Sequence, residues 1–393
     1  MVFHTPACSS RLFQKPTLAV RTLWKLWNSY FHSQTLICAF SGPRGGLYKS
    51  DEVFSASTDK PPHVPVMLKE VLHYLDIKPG QVVLDMTFGG GGHTKAMLNA
   101  VPDVTILALD RDPTAISLAQ QLAKEHPGHV KPLLGRFSEL EELLSSIDVK
   151  GGSIDAVLLD AGCSSMQMDQ AERGFSLSKD GPLDMRMDGA RFSDMPCAAD
   201  VVNTLDQHAL ASIFTAYGEE RHARKIASAI VEARRVNPIT RTQQLASVVA
   251  GAFPAAALYA RKDRLHRPSH VATKTFQALR IFVNDELNQL HAGLHAAQTA
   301  LKSGGRLCVI TFHSLEDRLV KRFLQGDDLS NLEQHHFDPG KQGKGRNKSV
   351  ERKRGRASAY WHRFQKKVIT PEKDDMKDNP RGRSAKLRVA IRC

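Results

Sequence analysis

The chain has no Cys-x-x-Cys pair. Its six cysteines stand apart at Cys8, Cys38, Cys163, Cys197, Cys308 and Cys393, which argues against a zinc ribbon or a dithiol redox site. So few cysteines in 393 residues also argue against a disulfide framework. No uninterrupted apolar run approaches the roughly 20 residues of a membrane-spanning helix. Heptads and internal repeats are missing too, which removes coiled coils and solenoids from consideration. Acidic residues are absent from Met1 to Ser50, where Arg11, Lys15, Arg21, Lys25, Arg44 and Lys49 supply positive charge among serines and threonines. Within that stretch "RTLWKLWNSYF" sets Leu23, Leu26, Trp27 and Tyr30 near one helical face. A basic, acid-free, amphipathic leader predicts a mitochondrial transit peptide, with residues 1–60 as leader and lead-in.

What is present fits a soluble globular protein with a sizeable core: 41% of residues are hydrophobic and 24% charged. Lys and Arg number 54 against 41 Asp and Glu, a net charge of +13. That excess favours a polyanionic partner, nucleic acid before membrane.

Strands and helices alternate through the first half. After a helical run holding Val66, Leu68, Val71, Leu72 and Leu75, Pro79-Gly80 breaks the pattern and "QVVLDM" reads as the first strand. "VTILALD" reads as strand two, ending at Asp110, and Asp112-Pro113 then opens a helix with an N-cap and a first-turn proline. "VKPLL" and "IDAVLLD" follow as strands three and four, the latter ending at Asp160. Such spacing predicts βαβ units in an α/β doubly wound parallel sheet. The alternation stops from about Met166 to Ala297, a mostly helical stretch, and resumes with "GGRLCVITF" and a closing "AKLRVAIR". The expected parts are therefore 61–165 and 298–328 for the sheet domain, 166–297 for a helical insertion between strands four and five, 329–384 for a basic flexible segment, and 385–393 for the closing strand.

The first strand runs into "DMTFGGGGHT". In a doubly wound sheet ligands sit beyond the carboxyl ends of the strands, and glycine there admits a ligand close to the backbone. Gly89 to Gly92 occupy that place, and Asp110 stands about 20 residues on, where an acid accepts from ribose hydroxyls. A nucleoside-type cofactor follows. The run lacks the properly spaced third glycine of a dinucleotide fingerprint, and Asp85 precedes it. An acid there suits the ammonium of S-adenosylmethionine better than a pyrophosphate.

Taken together, "HVPVMLKEVL", "DMTFGGGGHT", "ALDRDPTAI", "GRFSEL", "LLDAGCSSMQMDQAERGFSLSKDGPLDMRMD", "YGEERHARKIASAI", "TKTFQALRIFVNDEL", "GGRLCVITFHSLEDRLVKRF" and "NPRGRSAKLRVA" resemble, in order from His63 to Ile391, the ribosomal RNA small subunit methyltransferase H family. The resemblance implies a Rossmann-like class I S-adenosylmethionine-dependent methyltransferase fold and N4-methylation of a cytidine in the decoding region of small-subunit rRNA. With the leader, it implies a mitochondrial matrix protein acting on 12S rRNA in a small-subunit assembly intermediate. Carried over by position, the implied cofactor residues are Gly91, Gly92, His93, Asp110, Phe137, Asp160 and Gln167. The sequence departs from the family at Ala161 and Cys163, where Leu and Val are usual, and at Val271 and Lys274, where Pro and Arg are usual; Lys loses the bidentate fork.

Methyl transfer from a sulfonium is an in-line displacement that asks for alignment and dryness. The Asp/Asn/Ser-Pro-Pro-aromatic motif of many amino-group methyltransferases is missing, and Asp160, Ser164 and Ser165 hold its topological place. Asp160 is expected either to accept from the reacting amine or to touch only the cofactor. The base must leave its stack, and Phe175, Phe312 and His313 are candidates to hold it, with Asp184, Arg186 and Asp188 at the pocket mouth. Arg221, Arg224, Lys225, Lys274 and Arg280 are candidate phosphate contacts, with the Lys341–Lys367 run adding non-specific affinity. No metal is expected. A non-catalytic RNA-binding assembly factor and a nicotinamide-dependent oxidoreductase remain as competing classes.

Overall fold

The computed structural model describes residues 65–192, 194–255, 270–327, 360–365, 367–372, 376 and 379–393. The expected transit peptide and most of the Lys341–Lys367 run lie outside the described residues. After α1 (Leu68–Leu75) come β1 (Gln81–Asp85), α2 (Gly92–Ala100), β2 (Val104–Asp110), α3 (Pro113–Glu125), β3 (Val130–Leu134), α4 (Leu140–Ser146) and β4 (Ile154–Asp160). Then come the helices α5 (Ser165–Asp169), α6 (Ala198–Thr204), α7 (Gln207–Gly218), α8 (Ala223–Val236), α9 (Thr242–Gly251), α10 (Thr273–Asn284) and α11 (Glu286–Ala300). The chain closes with β5 (Leu301–Thr311), α12 (Ser314–Gln325), β6 (Trp361–Arg363) and β7 (Lys386–Arg392).

The strands form one sheet in the order β3-β2-β1-β4-β5-β7-β6. β1 to β5 pair in parallel, and β7 runs antiparallel to both β5 and β6. In β4 the alternation is visible on both faces: Ala156 and Leu158 join the core under α1 to α3, while Val157 and Leu159 join the core under α4, α11 and α12. Burial on both sides explains why "IDAVLLD" reads as an unbroken apolar run. The order reverses between β1 and β4, so the carboxyl ends of these strands border the crevice where such sheets hold ligands.

The helical insertion has its own core, built around Leu210, Phe214, Ile226, Ile230, Leu245, Leu279 and Phe282. Its end differs from the expected residue 297. Leu290, Leu294, Ala297 and Ala300 of α11 pack into the sheet's core, because Asp285 takes a left-handed conformation at φ 50° and turns α11 away from α10. The sheet domain therefore resumes near residue 285.

A second correction concerns 329–384, expected to be flexible throughout. Trp361–Arg363 form an edge strand on β7. Trp361 is buried against Phe323, and its Nε1 donates to Gln298 Oε1 at 2.9 Å. The free edge of β7 offers backbone groups that the basic composition of this segment conceals.

The insertion is tied down beside the crevice by one carboxylate. Asp188 is fully buried and accepts from Arg111, just after β2, at 3.1 Å through Nε, and from Arg136, just after β3, at 3.0 Å. Burial works against its ionisation, but the two guanidiniums hold its carboxyl below the usual carboxylate range. Replacing Asp188 by Ala leaves two cations facing one another without a counter-charge. The expected loss is about 3–5 kcal/mol, read as a lower midpoint in urea or thermal unfolding.

Candidate active site

The glycine run has mixed causes. Gly91 caps α2 at φ 78°, and a Cβ there would sit 2.7 Å from Phe88 Cζ. At Gly92 a Cβ would meet Pro65 Cγ at 2.5 Å. Gly89, at φ 53°, aims its N–H at Asp110 Oδ2, 2.7 Å away. Gly90 has open space around its missing side chain within 4 Å. Conformation and packing thus demand the flanking glycines, and the loop they shape leaves its middle open.

Three carboxyl groups end three strands around this loop. Asp85 is buried, with Oδ2 accepting from Thr94 Oγ1 at 2.7 Å and Oδ1 from the Thr87 N–H at 3.1 Å. Asp110 accepts the N–H groups of Gly89 and Asp112, the second at 2.9 Å. Asp160 donates its own N–H to Thr87 Oγ1 at 2.7 Å, while its Oδ1 is buried with no hydrogen-bond partner. Burial pushes Asp85 and Asp110 up to about 6. Asp160 is raised well above the ordinary carboxylate value, by burial first and then by the charges of Asp85 and Glu316. An anionic ligand would worsen this repulsion; a cationic one would relieve it.

The remaining expected cofactor residues divide by what they touch. His93 is buried in the first turn of α2 with Nε2 3.1 Å from the Val66 carbonyl oxygen, so its ring anchors the chain before α1. Phe137 follows β3 and packs on α11, where a Cβ at Gly293 would come within 3.0 Å of its ring. Gln167 is buried in α5: its Oε1 accepts from the Ser164 N–H at 3.0 Å and its Nε2 donates to Asp112 Oδ2 at 2.9 Å. Asp112 caps α3 through the Thr114 N–H at 3.0 Å and also pairs with Arg173 at 2.6 Å. Ser164 caps α5, and its Cβ lies 3.5 Å from where a Cβ on Gly89 would stand. Ser165 opens that helix and offers its carbonyl to Arg381 at 3.5 Å.

Several sequence expectations change here. Phe175 is buried in the insertion's core, and Asp188 is a buried ion-pair partner instead of a residue at a pocket mouth. Asp184 and Arg186 pair with each other, at 2.7 Å. Arg280, expected at phosphate, is held by both oxygens of Glu286, at 2.7 and 2.9 Å, with Nη1 3.4 Å from Cys163 Sγ. Lys274 donates to the Glu219 carbonyl oxygen at 2.9 Å. Arg221, Arg224 and Lys225 are exposed.

Sequence reasoning missed a second polar cluster beyond β5. Glu316 is buried, and its Oε2 accepts from the Phe312 N–H at 2.8 Å. Despite burial, His313, Arg280 and that N–H hold its carboxyl down to about 2. The detectable signal was "HSLE", a residue at N-cap followed three positions on by Glu. Ligand atoms of Glu286, His313 and Glu316 lie within 4.8 Å of one another, a metal-like grouping. Both Glu286 oxygens are already engaged by Arg280, so a guanidinium is the cation of this cluster.

Residues 60–393 match the model of the MraW methylase family. The chain is 58% identical over 340 residues to the 12S rRNA N(4)-cytidine methyltransferase METTL15 of Bos taurus, covering 84% of this chain and 82% of that one. Identity to the protein of the same name from Homo sapiens is 58% over 335 residues, with the same coverages. The ribosomal RNA small subunit methyltransferase H of Methylorubrum extorquens is 45% identical over 330 residues, 84% of this chain and 86% of that one. A seven-stranded sheet with its single reversed strand, an open glycine loop and an unneutralised acidic crevice suit a cationic methyl donor, and the chain belongs to the MraW methylase family of S-adenosylmethionine-dependent methyltransferases.

Proposed function

We propose that this protein transfers the methyl group of S-adenosylmethionine to N4 of a cytidine in mitochondrial small-subunit (12S) rRNA, acting in the matrix on an assembly intermediate of the small ribosomal subunit. The relatives named for that reaction support the substrate, and the acid-free leader supports the compartment. The observation that carries the chemistry is the buried, partnerless Oδ1 of Asp160 at the switch point of the sheet. A buried acceptor without a donor is costly, and an incoming N–H group satisfies it.

In this reading Asp110 grips the ribose, Asp85 faces the ammonium, and the Gly89–Gly92 backbone borders the donor, with His93 and Gln167 bracing the loop and the neighbouring helix. Phe137 flanks the adenine side. S-adenosylmethionine supplies an electrophilic methyl group when bound. Asp160 accepts one N–H of the cytosine amine and turns its lone pair towards that methyl, with Ser164 and Ser165 shaping the same edge. With the donor bound, transfer of its methyl group to N4 would release the donor's sulfur as a neutral thioether, and Asp160 or water would take the surplus proton from N4. Burial and the charges of Asp85 and Glu316 raise the Asp160 carboxyl; positive charge beside it favours the ionised form that accepts.

The test is the yield of N4-methylcytidine in 12S rRNA with and without the protein, together with transfer of labelled methyl to small-subunit RNA by the purified enzyme. Asp160→Asn is expected to keep donor binding while reducing turnover at least about 100-fold. Asp110→Ala is expected to weaken donor binding by about tenfold or more. A nicotinamide dinucleotide that binds while S-adenosylmethionine does not would sink the assignment.

A pH dependence follows from the carboxyls near 6. Below that pH both are protonated in the free protein and offer a cation little. Binding of the cationic donor lowers their pKa, so protons are released and affinity rises as pH increases from 5 to 7.5. Calorimetry near pH 6 in buffers of different ionisation enthalpy measures the release. In the free protein the sign is opposite: each folded-state value lies above the ordinary 3.8, so the favourable contribution present below that pH is lost as pH climbs through 6.

A further inference from the structure

We infer that His313 and Asp160 form a donor–acceptor pair that reads the Watson–Crick edge of the target base, His313 Nε2–H donating to cytosine N3 while Asp160 accepts from N4. The inference rests on the methyl-transfer reading above and adds a specificity-determining residue to it.

The tautomer is set by the backbone. His313 is the N-cap of α12, and its Nδ1 receives the Glu316 N–H at 3.4 Å. A backbone N–H only donates, so Nδ1 carries no proton and the ring's proton sits on Nε2. That Nε2 faces Glu316 Oε1 at 3.0 Å without the alignment of a hydrogen bond, and its other neighbours offer it none. The side chain is only 9% exposed. A buried N–H so poorly aligned gains from a better-placed acceptor, as the partnerless oxygen of Asp160 gains from a donor.

The two atoms belong to neighbouring strand ends. Asp160 pairs with Ile310, and the Ala161 N–H donates to the Ile310 carbonyl oxygen at 3.0 Å. Three residues on, His313 leaves β5 on the same carboxyl edge. A Cβ on Gly162, two residues after Asp160, would lie 3.8 Å from the Phe312 ring and from Arg280 Nη2. Glu316 links both sites: its charge bears on Asp160 and its carboxylate flanks the His313 ring. Arg280, locked to Glu286, closes the side towards the insertion.

A misaligned donor and a partnerless acceptor at neighbouring strand ends complement cytosine, whose N3 accepts and whose N4 donates. Uracil presents the reverse, with O4 accepting and N3–H donating, and would set donor against donor and acceptor against acceptor. A site built to hydrogen-bond a substrate group rejects an analogue lacking it far better than an apolar pocket does.

The test uses His313→Asn, because Asn is among the best N-caps and can still receive the Glu316 N–H while lacking the ring donor. The wild type and the variant are assayed on a small-subunit RNA oligonucleotide carrying either cytidine or 3-deazacytidine at the target, the latter having C–H in place of N3. Expected are unchanged donor affinity and melting temperature, a loss of turnover of about 10- to 100-fold on cytidine, and a similar relative loss for wild type on 3-deazacytidine. The variant should lose no more on the analogue, since the bond is already absent. Independent losses that multiply, or a variant as active as wild type on cytidine, overturn the inference. So does a variant defective only in donor binding. A wild-type enzyme inactive on the cytidine oligonucleotide and on small-subunit RNA alike would instead overturn the methyl-transfer reading itself.

Discussion

Everything in the crevice depends on three acidic side chains ending neighbouring parallel strands with no lysine or arginine paired to them among the described residues. Asp85, Asp110 and Asp160 are arranged by the sheet itself, since each closes a strand whose register with its neighbour is fixed by buried side chains on both faces. Backbone N–H groups and threonine hydroxyls satisfy Asp85 and Asp110, and Asp160 retains an unmet oxygen. A protein that keeps such charge density in a buried place holds free energy in reserve for a cation. The sulfonium and ammonium of the family's donor fit that reserve.

Positive charge is not scarce nearby; it is committed elsewhere. Arg111 and Arg136 flank the crevice in sequence, yet both turn to Asp188. Arg280 is spent on Glu286, and Arg173 on Asp112. These pairs fasten the helical insertion to the sheet domain at the site, so the wall that faces the acceptor is braced by the same arginines that would otherwise neutralise the crevice. Arg221, Arg224 and Lys225 of the insertion, by contrast, remain exposed.

Particular errors show where local reasoning stopped working. Asp188 reads as a residue at a pocket mouth and Arg280 as a phosphate contact because their main partners are not evident from the local sequence. Their partners are 77 and 52 positions away for Asp188, and across a helix junction for Arg280. Phe175 looks like a stacking residue because it lies in a family-like block near a strand end, but it fills the insertion's own core. Trp361 sits in a run of lysines and arginines that reads as unstructured, and only the unpaired edge of β7 gives it a place.

Short-range patterns alone determined the alternating strands and helices, the helix start at Asp112-Pro113, the glycine loop after the first strand and the acids at the ends of the first, second and fourth strands. These follow from periodicity, turn chemistry and capping, all of which act over a few residues. Only the tertiary structure decided which charges are paired, where the insertion ends, and which buried polar atoms are left without partners. Ion pairing and satisfaction of buried groups depend on distances between residues far apart in the chain, and those distances exist only once the sheet and the insertion have packed together.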